Sequence, residues 1–124
     1  MTVHLRARVV DKPWGHEEVF AETPHYVGKI LFIRQGEALS LQYHEVKEET
    51  LRVLDGKLEL VVGPDVESLK THLLESGAVF HVSPGTLHRM IGVSDCRLLE
   101  VSTNHLDDVV RLEDRYGRRG TSAP

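Results

Sequence analysis

Gln42, His44, Glu49 and His88 are the residues of this chain whose types and spacing point to chemistry. Gln42 and His44 lie two apart in the stretch LQYHEVKEE, which runs from Leu41 to Glu49. Side chains alternate along a β-strand, so the two share a face while Leu41 and Tyr43 take the other. At a rise of about 3.3 Å per residue they stand roughly 6.6 Å apart at Cα, close enough to converge on one ion. Glu49 follows past a turn expected through Glu45–Lys47 and can swing back to the same point. His88 comes after the turn Ser83-Pro84-Gly85-Thr86 and would close the site from a distant strand. Two imidazole nitrogens, a carboxylate and an amide oxygen make a ligand set for one divalent cation. Zinc comes first, with manganese, iron, cobalt and nickel also compatible. A five- or six-coordinate ion held by four protein ligands keeps positions open, which permits Lewis-acid catalysis. Taken singly, each residue has an ordinary explanation: a surface or core histidine, or a solvated Glu48-Glu49 turn. Only the combination points to a metal.

The elements that must position these groups are short. Runs of Val, Ile and Leu are broken by Gly, Pro, Asp and Ser, the pattern of an all-β sandwich or barrel. Strands are predicted near 16–20, 27–33, 38–44, 50–54, 57–62, 71–74, 78–82, 87–92 and 96–101. Pro64 to Lys70 is expected to hold one helical turn, and 105–116 reads as either a short helix or an extended arm. Asp55-Gly56, between two apolar runs, predicts a two-residue hairpin with Arg52 opposite Glu59. A strand regular from Glu49 onward puts Leu51 and Val53 on the face of Glu49.

The chain of 124 residues suits one domain, spanning 1–118, with a flexible tail at 119–124. Apolar residues at 40% and charged residues at 27% argue against disorder. A net charge of -4 gives no global attraction to nucleic acid. No basic amphipathic stretch favours a membrane surface, and no segment approaches the roughly 20 apolar residues of a membrane span. The N-terminus lacks a secretory pattern, so the expected location is cytoplasmic. Cys96 is the only cysteine, which excludes an intrachain disulfide and reads as a buried, inert thiol.

These motifs resemble the cupin signature. Gly36, Gln42, His44, Glu49 and Gly56 follow its first motif, with Gln42 in place of the first histidine. Gly77, Pro84, Gly85 and His88 follow its second, with Gly92 where an asparagine is usual. Within the cupins the chain resembles the C-terminal isomerase domain of type II mannose-6-phosphate isomerases, commonly fused to a mannose-1-phosphate guanylyltransferase. KPWGHEEVF (12–20), LSLQYH (39–44), GTLHR (85–89) and VVRLEDRYGR (109–118) carry this likeness, the last being the most specific. The chain departs from the family at His44-Glu45-Val46, where three histidines are usual, and at Thr50-Leu51, where His-Trp is usual.

The resemblance implies a double-stranded β-helix, a jelly-roll-like barrel, with the metal held by Gln42, His44, Glu49 and His88. It implies aldose-ketose isomerisation of a sugar phosphate through a cis-enediol. The sequence does not identify the base. Lys29 matches a family lysine and would be desolvated in a barrel interior, or else is a surface lysine. His81 titrates near neutrality when unperturbed, but also fits a half-buried histidine. Arg89 and Arg111 are candidates to hold the phosphate, although a regular strand turns Arg89 away from the side of His88. Trp14 is a packing anchor or a sugar platform.

Three other functions remain open at this level: a non-catalytic metal- or sugar-binding cupin, another metal enzyme such as an iron oxygenase, and a metal-free sugar-nucleotide epimerase. A homodimer is also expected, because residues 1–12, with Val3, Leu5, Val9 and Val10, can serve as a strand-exchange arm.

Overall fold

The computed structural model describes residues 5–118, 120 and 121. Two six-stranded sheets face each other. The first has the order β1 (Arg8–Lys12), β2 (Gly15–Glu22), β3 (Val27–Ile33), β10 (Cys96–Ser102), β5 (Glu49–Asp55) and β8 (Val79–Val82). The second runs β12 (Gly120–Thr121), β11 (Val110–Glu113), β4 (Leu41–Tyr43), β9 (Leu87–Gly92), β6 (Leu58–Gly63) and β7 (Lys70–Leu74). Every pairing is antiparallel. Among the described residues no helix is long and apolar enough to cross a membrane.

Alternation decides what lies between the sheets. Along β10 the buried positions are Cys96, Leu98, Glu100 and Ser102; along β3 they include Ile33, Leu31 and Lys29; along β5 they are Val53, Leu51 and Glu49. Cys96 stands opposite Ile33, Leu98 opposite Leu31 and Val53, and Glu100 opposite Lys29 and Leu51. Each strand therefore runs from apolar to charged in the same direction. One end of the interior is an aliphatic core around Leu31, Leu98, Val53 and Met90. The other end is polar. Burying each core side chain contributes about 1.5–3 kcal/mol, which offsets the cost of the charged end.

The predicted hairpin at Asp55-Gly56 is not formed. β5 pairs with β10 and β8, whereas β6 pairs with β9 and β7. Arg52 stands opposite Leu99 and Val79, and Glu59 opposite Ile91 and Leu73, so the expected Arg52–Glu59 pair is absent. A type I′ turn needs positive φ at both central residues, and only Gly56 has it (+83°). The inner faces of β5 and β6 bury into the same core from opposite sides, so the chain crosses from sheet to sheet here. Leu51 and Val53 do share the buried face of Glu49.

The helical turn is a 3-10 turn at Val66–Ser68, started by Asp65, whose carboxylate accepts from the Glu67 N–H at 3.0 Å. The ambiguous stretch 105–116 resolves as β11 with flanking turns. Of the expected 38–44 strand only Leu41–Tyr43 forms one, preceded by a lone bridge from Ala38 to Ile91. At the N-terminus, β1 pairs with β2 of its own chain and forms one edge of the first sheet. Residues 1–4 of the proposed arm, and 119 and 122–124 of the proposed tail, lie outside the described residues; Gly120–Thr121 pair with Val110 and Arg111.

Candidate metal centre

Three chain segments meet at the polar end. His44 directly follows β4, Glu49 opens β5, and His88 is the second residue of β9. The turn before His88 is tied to the first ligand segment, since Gly85 N–H donates to the His44 carbonyl at 2.8 Å. Their side chains are 0–3% exposed. The Nε2 atoms of His44 and His88 lie 3.3 and 3.2 Å from Glu49 Oε1. Ligands bound at about 2.1 Å to one ion stand about 3.0–3.4 Å apart, so these spacings suit a shared cation. Among the described residues these three form a group whose ligand atoms all lie within 4.8 Å of one another. Gln42 stands directly opposite His88 across β4 and β9 and lines the same cavity, where its Oε1 accepts from the Ser40 hydroxyl at 3.1 Å.

The backs of both rings are held by carbonyls. His44 Nδ1–H donates to Asp108 O at 2.6 Å, and His88 Nδ1–H to Thr86 O at 3.0 Å. In a neutral imidazole that places the lone pair on Nε2, facing the carboxylate. His88 Nε2 is buried and has no aligned hydrogen-bond partner despite its closeness to Glu49. Two imidazole nitrogens converging on one carboxylate oxygen, one of them with no aligned hydrogen-bond partner, fit a cation. Burial opposes the charge on Glu49, but the imidazoles, where protonated at Nε2, and the Lys47 ammonium hold its carboxyl well below the ordinary value.

The surrounding cavity, about 50 Å³, is ringed by charge. Lys47 Nζ lies 3.3 Å from Glu49 Oε2 and 3.4 Å from Glu100 Oε2. Burial and the Glu49 charge push the Glu100 carboxyl up to about 7, against the pull of Lys47 and Lys29. Burial opposes the Lys47 ammonium, yet Glu100 and Glu49 hold it above the usual lysine value. Lys29 is buried and donates to Glu17 at 3.1 Å, so it is an interior lysine with a carboxylate partner.

Arg111 is a buried cavity residue, opposite Gln42 on β11. Burial and the nearby Arg118 cation lower its guanidinium from the ordinary value. Trp14 lines the cavity and belongs to the apolar core, so its two expected roles converge.

Two of the expected site residues are not brought to the cavity. His81 lies on the outer face of β8 with 47% of its side chain exposed, between the Thr50 hydroxyl and the Glu48 carboxylate, each at 2.8 Å. Period two explains this, since Val82 is the inward residue there. Arg89 points outward from β9, donating to Leu39 O at 3.1 Å and Glu113 O at 3.2 Å. It straps two chain segments together instead of facing a ligand. Cys96 is buried, and burial first, then Asp55 and Asp95, push its thiol up to about 11, which makes it inert.

Sequence reasoning missed Glu17, Lys47, Glu100 and Asp108. For Glu17 and Glu100 a signal existed: each interrupts an apolar alternation at an inward position, Glu17 before Val19 and Glu100 after Leu98. Asp108 carried no such mark. Its carboxylate accepts from three successive backbone N–H groups, Glu45 at 2.9 Å, Val46 at 2.7 Å and Lys47 at 2.8 Å.

Comparison with known proteins gives the family and the fold. The family described as mannose-6-phosphate isomerase C-terminal matches residues 2–114. The chain belongs to this family. The mannose-1-phosphate guanylyltransferase ManC of Salmonella typhimurium is 32% identical over 120 residues, 93% of this chain. The xanthan biosynthesis protein XanB of Xanthomonas campestris is 31% identical over 116 residues, 90% of this chain. The chain spans only 24% of the length of each of these relatives. An RmlC-like cupin from Shewanella frigidimarina superposes with a TM-score of 0.69 at 14% identity, covering 78% of this chain and 83% of its own. The fold of this chain is thus that of a cupin.

Proposed function

We propose that this domain is a metal-dependent sugar-phosphate isomerase of the mannose 6-phosphate type. The convergence of His44 Nε2, His88 Nε2 and Glu49 Oε1 carries the reading, inside a charged cavity of a chain of this family. Gln42, the cross-strand neighbour of His88, would be a fourth ligand. A divalent ion held there, zinc foremost, supplies Lewis-acid polarisation of substrate oxygens. The carbonyl carbon and its hydroxyl-bearing neighbour would lie at the cavity floor. Loss of a proton from the neighbouring carbon with protonation of the carbonyl oxygen gives the cis-enediol, and the neighbouring hydroxyl then loses its proton as a proton is delivered to the former carbonyl carbon. Glu100 is placed to carry it, because it is a buried cavity carboxylate outside the ligand group. Lys47 holds Glu100 in position, and Lys29 and Glu17 neutralise each other beside it.

Elemental analysis of protein purified without chelator, paired with conversion of mannose 6-phosphate to its 2-ketose, tests this directly. Near-stoichiometric metal and turnover are expected, with His88→Ala losing both. Glu100→Gln should keep the metal while losing at least about a hundredfold in turnover. A metal-free protein, or a Glu100→Gln variant of full activity, would refute the corresponding part.

The narrowness of the cavity favours a second reading, a non-catalytic metal- and sugar-binding domain. About 50 Å³ holds an ion and a few waters. Sugar-phosphate binding without conversion, in metal-loaded protein, would establish that reading.

A further inference from the structure

His81, which the fold keeps out of the cavity, stands directly behind one of the candidate ligands. Its strand β8 forms an edge of the first sheet and pairs with β5, so that His81 lies opposite Thr50 and Val82 opposite Glu49. On the outer face the imidazole joins two side chains at 2.8 Å each. An ionised carboxylate only accepts, so Nε2–H donates to Glu48, and Nδ1 of the neutral ring accepts from the Thr50 hydroxyl. Glu48 and Thr50 are the two chain neighbours of Glu49. One ring therefore spans the ligand residue from behind, while the Glu49 side chain, 2% exposed, points inward to the imidazoles of His44 and His88.

The same short stretch is tied from its other side. Thr103, which follows β10, donates its N–H to the Glu48 carbonyl at 3.1 Å, and its hydroxyl accepts from the Glu48 N–H at 3.2 Å. Glu49 is the first residue of β5, and strand ends open more readily than strand centres. Thr103 grips the backbone of that end, and His81 grips the side chains. The far end of β5 offers a comparison. There Arg97 and Asp55 pair at 2.6 Å, with side chains 46% and 51% exposed, against 47% and 53% for His81 and Glu48. The two pairs are alike in exposure and share a strand, but only one of them adjoins a candidate ligand.

We propose that His81 is a positioning residue for Glu49, acting from outside the barrel through Glu48 and Thr50. The proposal rests on the reading of His44, Glu49 and His88 as a metal centre, and is independent of the isomerase chemistry. A carboxylate that must stand about 2.1 Å from an ion tolerates little drift of its own backbone. Removing a group bonded directly to a ligand costs about 10–100-fold in metal affinity. His81 acts at one remove, through the chain on either side of the ligand, so its loss costs less.

Cobalt(II) is the probe, titrated into chelator-treated protein, because its visible bands report ligand geometry as well as occupancy. Affinity is read by competition with a chromogenic chelator. His81→Phe keeps a ring and removes both hydrogen bonds. It should weaken cobalt about three- to tenfold and alter the visible bands. His81→Gln supplies an amide donor and acceptor in place of the two ring nitrogens, and should restore most of the affinity. Arg97→Gln, which removes the matched pair at the far end of β5, should leave cobalt affinity and spectrum at the parent values. Cobalt affinity and bands unchanged in His81→Phe would overturn the proposal. So would a loss in His81→Gln as large as in His81→Phe, since the two hydrogen bonds would then not be the cause. An equal loss in Arg97→Gln would overturn it too, because the effect would be one of general stability. Cobalt binding that responds to His81 in a protein without turnover would leave the positioning role standing and remove the isomerase. A protein that takes up no cobalt would remove both.

Discussion

The backbone N–H groups of Glu45, Val46 and Lys47 all point at the carboxylate of Asp108, while the carbonyl of the same residue takes the Nδ1–H of His44. One residue outside the ligand set therefore fixes both the loop between two ligands, through its side chain, and the orientation of an imidazole, through its backbone carbonyl. Burial opposes ionisation of Asp108, but its three N–H donors outweigh that and hold the carboxyl below the usual value. A carboxyl depressed in the folded state stabilises fully above its unfolded value of about 3.9, and that contribution is lost as pH falls through the lower, folded value. Asp108→Asn turns an amide N–H toward a backbone N–H. It is expected to lower metal affinity about 10–100-fold, measured by competition with a chromogenic chelator. Its melting temperature should also lose part of the acid dependence seen in the parent below about pH 4. An unchanged affinity would show that the loop holds without Asp108.

At the scale of elements, the Asp55-Gly56 crossing carries the lesson. Apolar runs flanking an Asp-Gly pair look the same whether the strands pair with each other or face each other across a core. The crossing requires glycine for reasons of space as well as conformation. Gly56 has φ +83°, and a Cβ there would come within 2.3 Å of the Asp95 carbonyl oxygen and 2.6 Å of Cys96 Cβ. Gly56→Ala should cost about 2–4 kcal/mol in denaturant unfolding, more than the loss of a flexible turn glycine. Gly36→Ala, with similar φ but open space around it, should cost about 1–2 kcal/mol. Equal costs at the two positions would mean that the close approach to Asp95 is relieved without strain.

For the whole molecule, the outer face of the first sheet stands out. Val9, Phe20, Val79 and Val101 are exposed on it, beside β1, whose outer edge lacks a strand partner among the described residues. We propose that a second copy covers this side, in keeping with the homodimer expected from the N-terminal segment. Light scattering at micromolar concentration should return twice the 14.0 kDa chain mass, and Val101→Glu should shift it toward the monomer. A monomer across that range removes the dimer and leaves the candidate metal site untouched, because His44, Glu49 and His88 come together within one chain.

Much of this was legible in the residues alone. Strand-length apolar runs implied an all-β fold, and β3 lies at the predicted 27–33, because alternation is a local property of the chain. The types and spacing of Gln42, His44, Glu49 and His88 marked them as candidate donors, because donor chemistry belongs to residue type, and the fold brings His44, Glu49 and His88 together. Which strands pair was not legible, since hydrogen-bonding edges are shared among segments far apart in sequence. Nor was the fate of the charged residues. Arg89 and Arg111 look alike in the sequence, yet the tertiary structure turns one outward onto backbone carbonyls and buries the other in the cavity wall. Lys29 meets Glu17 across 12 residues and Lys47 meets Glu100 across 53, and that proximity and shared burial exist only once the sheets have closed.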